Sequence, residues 1–135
     1  MKLKDFDFRI WDKDEKCFLD PYTKSRAVVK NLPNEKLLNL EIELFTGLYD
    51  KNGKKVYEND IISYTTLQGK TLFCFITPNK NINTFKIFVI SDLENFKLYN
   101  EIDLFFDLSN LEDIKLNSEV IGNIHNRESI SKGLK

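Results

Sequence analysis

Apolar residues recur at every second position along much of this chain, as in Phe6, Phe8 and Ile10 and again in Leu72, Cys74 and Ile76. Side chains of an extended strand point alternately to its two faces, so a period of two belongs to half-buried β-strands, whereas a helix repeats near 3.6. The pattern predicts strands over residues 5–11, 17–19, 41–48, 55–64, 71–77, 84–90, 102–108 and 119–125. The fold class is therefore mainly β, with short helices. Residues that accept tight backbone geometry fall between these stretches: Asp12-Lys13-Asp14-Glu15, Asp50-Lys51-Asn52-Gly53, Gln68-Gly69 and Pro78-Asn79-Lys80-Asn81-Ile82-Asn83. Hairpins are the natural connection.

Helix signals are few. Ser91 with Glu94, and Ser109 with Glu112, have the spacing of a capping box, in which two side chains satisfy the first free N–H groups of a helix. Asn126 can open a last helical turn before Gly133. Residues 23–39, broken by Pro33, are apolar but aperiodic and read as a connector of no assigned structure, between an N-terminal hairpin and the rest.

Composition excludes several function classes. With 135 residues, 41% hydrophobic and 30% charged, the chain can build one ordinary core, and its eleven Phe residues predict a core built on Phe. A net charge of -1 with scattered signs gives no general field for DNA or an anionic membrane. Arg, the side chain best suited to reading guanine edges, occurs only at positions 9, 26 and 127. Cys17 and Cys74 form no CxxC and are expected to stay reduced. No signal-peptide pattern or run of about 20 apolar residues is present, so the expected location is cytoplasmic, with no membrane partner.

Catalytic, cofactor-binding and metal-binding residues are expected to be none, and no cofactor is implied. His125 is the sole histidine, and a triad or zinc site needs convergent partners, so it reads as a strand residue at a barrel rim. Asp12, Asp14 and Glu15 resemble the opening of a calcium loop, but the later glycine and bidentate Glu are missing, leaving a solvated turn. Glu58 and Asp60 share a strand face, as an acid–base pair would, but lack a third group. Turn capping by Asp60 and an exposed Glu58 are the expectation. Trp11 and Tyr57 have the rings to stack on bases, but a lone aromatic makes a poor platform, so packing is expected of them. The five glycines never cluster into a phosphate loop. Gly122, inside an apolar strand, marks a bulge or a close backbone approach.

The most specific stretch is Thr46-Gly47-Leu48-Tyr49-Asp50-Lys51-Asn52-Gly53-Lys54-Lys55-Val56-Tyr57-Glu58-Asn59-Asp60-Ile61-Ile62. It reads as strand, tight turn, strand. Asn52-Gly53 suits the positive φ values of a hairpin turn, Asp50 accepts from backbone N–H groups two residues on, and Asn59 is a candidate for the left-handed conformation. This run resembles the T-G-L-x-D-x-N-G-x-x-[IV]-[YF]-E-G-D-[IV] hallmark of the YopX-like family of phage and prophage proteins. Phe8-Arg9-Ile10-Trp11-Asp12-Lys13 resembles that family's F-R-x-W-D, and Glu119-Val120-Ile121-Gly122-Asn123-Ile124-His125 its E-V-I-G-N-I-[YH]. Asn59 stands where the family usually has Gly. The matched signature residues are Trp11, Asp12, Thr46, Gly47, Leu48, Asp50, Asn52, Gly53, Tyr57, Glu58, Asp60, Gly122 and Asn123.

The resemblance implies a small SH3-like β-barrel over residues 41–135, with a C-terminal tail, and an N-terminal β-hairpin with connector over residues 1–40. It implies no activity. The leading expectation is a phage- or prophage-encoded, non-enzymatic binding module that meets an unknown protein partner, with a homo-oligomer as a further option. The alternative is an accessory protein that binds nucleic acid through Lys51, Lys54, Lys55 and Lys70, in or near predicted turns.

Overall fold

The computed structural model describes residues 2–79, 84–99 and 115–133. It is mainly β with short helices, and backbone packing divides it into two compact units, Met1–Phe45 and Thr46–Lys135, the break falling inside a continuous strand.

In the first unit β1 (Phe8–Asp12) pairs antiparallel with β2 (Cys17–Phe18) and with the first half of β3 (Leu40–Tyr49), in a register that sets Phe8 against Leu44, Ile10 against Ile42 and Asp12 against Leu40. Alternation then sorts the two faces. Arg9, Trp11 and Glu43 share one, while Phe8, Ile10, Ile42 and Leu44 share the other. Asp12 closes the β1–β2 turn by accepting from the N–H groups of Asp14 and Glu15, at 2.9 and 3.2 Å, and Lys16 takes the left-handed conformation at φ 54.

The expected connector over residues 23–39 is two short helices, α1 (Pro21–Val28) and α2 (Asn34–Leu37). Asp20 caps α1 through its carboxylate, which accepts from the Thr23 N–H at 2.8 Å and the Thr23 hydroxyl at 2.9 Å. Pro21, whose missing N–H costs nothing at a first helical position, fixes the entry. Lys30, left-handed at φ 58, ends α1.

In the second unit the end of β3 turns back into β4 (Lys55–Tyr57). Five further strands, β5 (Asp60–Thr65), β6 (Thr71–Asn79), β7 (Thr84–Asp92), β8 (Lys97–Tyr99) and β9 (Ser118–Asn123), make an antiparallel sheet in the order β8-β7-β6-β5-β9 that curls into a half-barrel. A 3-10 turn (Ile124–Asn126) leads from β9 into α3 (Arg127–Gly133). The predicted 55–64 strand is thus two strands, broken at Glu58 and Asn59, where Asn59 adopts φ 66. Central β5 is covered on both faces: Ile62 packs with Val56, Tyr64, Cys74, Ile76 and Ile87 on one, and Ile61 with Phe75 and Ile90 on the other. A strand buried twice over reads as an apolar run, which is why Asp60-Ile61-Ile62 departs from alternation.

The expectation of a Phe core is corrected. Among the described residues only Phe45 and Phe75 of the phenylalanines are buried, and isoleucine leads the core at positions 10, 61, 62, 76, 87 and 90. Narrow β-branched side chains fill the space between closely spaced, curled strands, and the larger rings are left at the margins. The Ser91–Glu94 capping box is also corrected. β7 runs on to Asp92, the Ser91 hydroxyl donates to the Lys97 carbonyl at 3.0 Å, and Asp92 accepts from the Asn95 N–H at 3.1 Å. Phe96 then turns left-handed at φ 52 and sets its ring edge-on to Phe75, 4.9 Å between centroids, delivering the chain to β8 rather than to a helix. The strand expected over 102–108, the Ser109–Glu112 box and residues 80–83 of the predicted turn lie outside the described residues.

Candidate functional site

The signature residues are spent on backbone geometry. Thr46 donates its hydroxyl to the Val56 carbonyl at 2.6 Å and accepts from the Leu48 N–H at 3.2 Å, spanning Gly47 at φ +86, while Leu48 packs against the Val56 cluster. The Asp50 carboxylate accepts three backbone N–H groups, those of Asn52, Lys54 and Val120, each at 2.9 Å. It thereby fastens the β3–β4 hairpin to β9. Burial pushes the Asp50 pKa up, but the N–H groups of Val120, Lys54 and Asn52 outweigh it and hold the carboxyl below its ordinary value. The turn itself differs from the expected pair of positive φ values: only Gly53 is left-handed, at φ +77, and its N–H bonds the Asp50 carbonyl at 3.0 Å. A turn followed by one left-handed glycine is the longer hairpin solution.

Asp60 reaches back to the Tyr57 N–H at 2.8 Å, as expected, and Tyr57 is half-buried. Glu58 is not exposed as expected but buried, next to the bend where the Asn59 N–H donates to the Ile76 carbonyl at 2.7 Å. Gly122 faces Ile61 at a register shift, and a Cβ there would come within 2.7 Å of Asn126 Oδ1 and overlap the Ile130 side chain. Both sequence readings of this glycine, a bulge and a close approach, hold. Asn123 and Asn126 form a reciprocal cap, with the His125 N–H on Asn123 at 2.9 Å and the Asn123 N–H on Asn126 at 2.8 Å. His125 therefore sits in the 3-10 turn after β9, not in the strand.

In the first unit Trp11 packs edge-on to Phe18, 5.0 Å apart. The expected solvated turn at Asp12 is corrected: Asp12 is 1% exposed and accepts from Lys36 as well as from its own turn. Burial raises its pKa, and the Lys36 and backbone hydrogen bonds lower it further than that. Glu43, also buried, meets Arg9 at 2.8 Å. Neither burial is visible in linear order, because the cations that compensate it lie 24 and 34 residues away. Among the described residues no three His, Cys, Asp or Glu side chains are grouped to hold a metal ion, and no helix is long and apolar enough to cross a membrane.

The first unit has an open groove of about 390 Å³ between its helices and the sheet, lined by Phe8, Ile10, Ala27, Val28, Leu37, Leu40, Ile42 and Lys30. Ile42 is 61% exposed and Val28 56%, and Lys30 is the single charge on the lining. Sequence reading missed Ala27, Val28, Lys30 and Leu37 because the helices were not seen. Asp20-Pro21, a capping residue followed by proline at a first helical position, was the available signal. Of the lysines considered for nucleic acid, Lys51 pairs with Glu119 at 3.7 Å, and Lys54 lies beside Asp50.

Comparison with solved structures finds protein EF1440 from Enterococcus faecalis, with a TM-score of 0.56 at 22% identity, covering 93% of this chain and 97% of that one. The likeness is one of fold. No curated protein matches. The model of the YopX protein family matches residues 7–129, which takes in the β1 motif, the Asp50 hairpin and the Gly122 strand together, and the chain belongs to that family.

Proposed function

We propose that this chain is a non-enzymatic protein-binding module, encoded by a phage or prophage and working in the bacterial cytoplasm, whose first unit takes an apolar segment of a partner protein into its groove. The observation that carries the reading is the open lining itself. A chain of this size has little reason to leave Val28 and Ile42 exposed around one concavity unless something covers them. The volume falls in the range of ligand pockets, and the lone Lys30 selects for an acidic residue beside the apolar ones. The signature carboxylates support the same reading from the other side, since Asp12, Asp50 and Asp60 accept from backbone or lysine donors and so serve the fold.

Selection of peptides from a random displayed library on the folded full chain tests the proposal. Enriched peptides are expected to combine apolar side chains with an acid. Burying the exposed part of Ile42 is worth about 1–2 kcal/mol, so Ile42→Glu is expected to weaken them about tenfold or more. Peptides that bind Ile42→Glu and Val28→Glu variants as well as the parent would overturn it.

A further inference from the structure

The groove opens at a sheet edge whose backbone is itself unbonded. In the β1–β3 pair the Phe45 N–H donates to the Asp7 carbonyl at 2.9 Å and the Lys13 N–H to the Asn39 carbonyl at 3.0 Å, so the odd-numbered residues of β3 turn their backbone groups toward β1. Those of Leu40 and Ile42 therefore point to the other side of the strand. β4 stops short of them, for it meets β3 between Thr46, whose hydroxyl donates to the Val56 carbonyl, and Asp50, whose N–H donates to the Lys54 carbonyl. Among the described residues nothing bonds the N–H or carbonyl of Leu40 or Ile42. Exposure shows where the groove has its mouth. Ile10 and Ile42 are cross-strand partners on the groove face, yet Ile10 is 4% exposed and Ile42 61%, so the helices cover β1 and leave β3 bare. Residues 40–44, Leu-Glu-Ile-Glu-Leu, contain neither the Pro nor the Lys that ordinarily blunts an edge.

We infer that an extended segment of the partner protein joins the sheet at this edge as a further strand, bonding the backbone of Leu40 and Ile42 and covering Ile42 with its alternate side chains. The inference rests on the groove reading above and gives it a form, strand addition, in which main-chain bonds supply affinity and alternate side chains supply specificity. An added strand lies about 4.8 Å from β3, which sets its groove-facing side chains beside the bare side of Ile42. A helix laid in the groove would leave the Leu40 and Ile42 backbone groups as they are. A second copy of this chain fits less well. Any pairing through Leu40 and Ile42 sets odd-numbered residues opposite one another: antiparallel about Ile42, Glu41 meets Glu43, and about Glu41, it meets itself. Like charges directly opposite oppose pairing. Lys13, 2.7 Å from Glu41, and Arg9, 2.8 Å from Glu43, reach these carboxylates from the β1 side rather than across the open edge.

The strongest peptide enriched on the full chain from the displayed library is the probe. Methylating its backbone nitrogens one residue at a time removes single donors and leaves the side chains in place. Binding is expected to weaken about fivefold or more at every second residue, where the N–H faces β3, and by less than about twofold at the residues between. Amide hydrogen exchange of the full-length ¹⁵N-labelled chain is expected to slow on binding at Leu40 and Ile42, and to change less at Glu41 and Glu43, whose N–H groups already face β1. A peptide that binds with no alternation in the methylation series, or with no slowing at Leu40 and Ile42, overturns strand addition and leaves the groove reading standing. A library that enriches no peptide removes both. Slow exchange at these two amides that grows with chain concentration in the absence of peptide assigns the edge to a second copy, and overturns the inference as well.

Discussion

Removing the Asp50 carboxylate is expected to cost the second unit a large share of its stability, and the amount follows from what each of its bonds leaves behind. All three donors lie at 2.9 Å, and hydrogen bonds to a charged group are worth roughly 1.5–3 kcal/mol each. The Asn52 and Lys54 N–H groups are in an exposed turn, where water replaces a lost acceptor, so they contribute less than that range, about 0.5–1 kcal/mol apiece. The Val120 N–H lies inside β9 and has no such substitute, which sets its loss at about 2 kcal/mol. Asp50→Ala is therefore expected to lose about 3–4 kcal/mol, against a total of about 5–13 kcal/mol for a unit of this length. Asp50→Asn keeps one acceptor oxygen for the turn but sets an amide donor against the Val120 donor, so its loss is about 2 kcal/mol.

Urea unfolding followed by far-ultraviolet circular dichroism measures both variants. The charge gives the pH dependence its sign. The folded pKa of Asp50 lies below the ordinary value of 3.8, so its contribution is complete above that pH and is lost as pH falls through the folded value. The gap between parent and Asp50→Asn is expected to hold from pH 7 to 5 and to close below 3.8. An Asp50→Asn chain within about 0.5 kcal/mol of the parent at pH 7, a quarter of the expected loss, would refute the reasoning.

Gly122→Val is expected to destabilise by about 2 kcal/mol or more, as overpacking does, and to raise amide exchange in α3, because the new side chain meets Asn126 and Ile130. Asn59→Gly, at φ 66, is expected to raise the melting temperature by a few degrees, corresponding to roughly 0.5–1 kcal/mol of relieved strain, while Asn59→Val lowers it. Thiol titration at pH 8 is expected to show one fast group per chain. Cys17 is exposed, whereas burial pushes the Cys74 thiol up to about 12, so Cys74 reacts only after unfolding.

Strands were legible where apolar residues recur at every second position, as in β1, and this held in β6 and β7 although both are buried on their two faces, with Cys74, Ile76 and Ile87 in one cluster and Phe75 and Ile90 in the other. The Asp50 turn was legible because its chemistry is local: Asp50 bonds residues two and four positions on. Asn59 and Gly122 could be read because their backbone conformation is written in residue type. The helices of the first unit went unread because they are short, eight and four residues, with too few apolar positions to set a period. Glu58, Asp12 and Glu43 look like surface carboxylates in any window of sequence. Their burial depends on what the fold brings to them, as Lys36 is brought to Asp12 and Arg9 to Glu43. The Ser91–Glu94 spacing misled for a related reason, since a hydroxyl that fits a helix start serves equally well to pin a turn. The groove around Ile42 was hidden by its own alternation, for in β3 the charged Glu43 faces inward and apolar Ile42 and Leu44 face out.

The bond from Asp50 to Val120 spans 70 residues, and β9 is also the second neighbour of β5. During synthesis the hairpin and the central strands leave the ribosome long before the strand that fastens them. Until β9 emerges, one flank of β5 lacks its partner and the Asp50 carboxylate holds only its own turn. Completion of the half-barrel is thus tied to the arrival of β9, and a ribosome that stalls short of Val120 releases a polypeptide lacking its clasp.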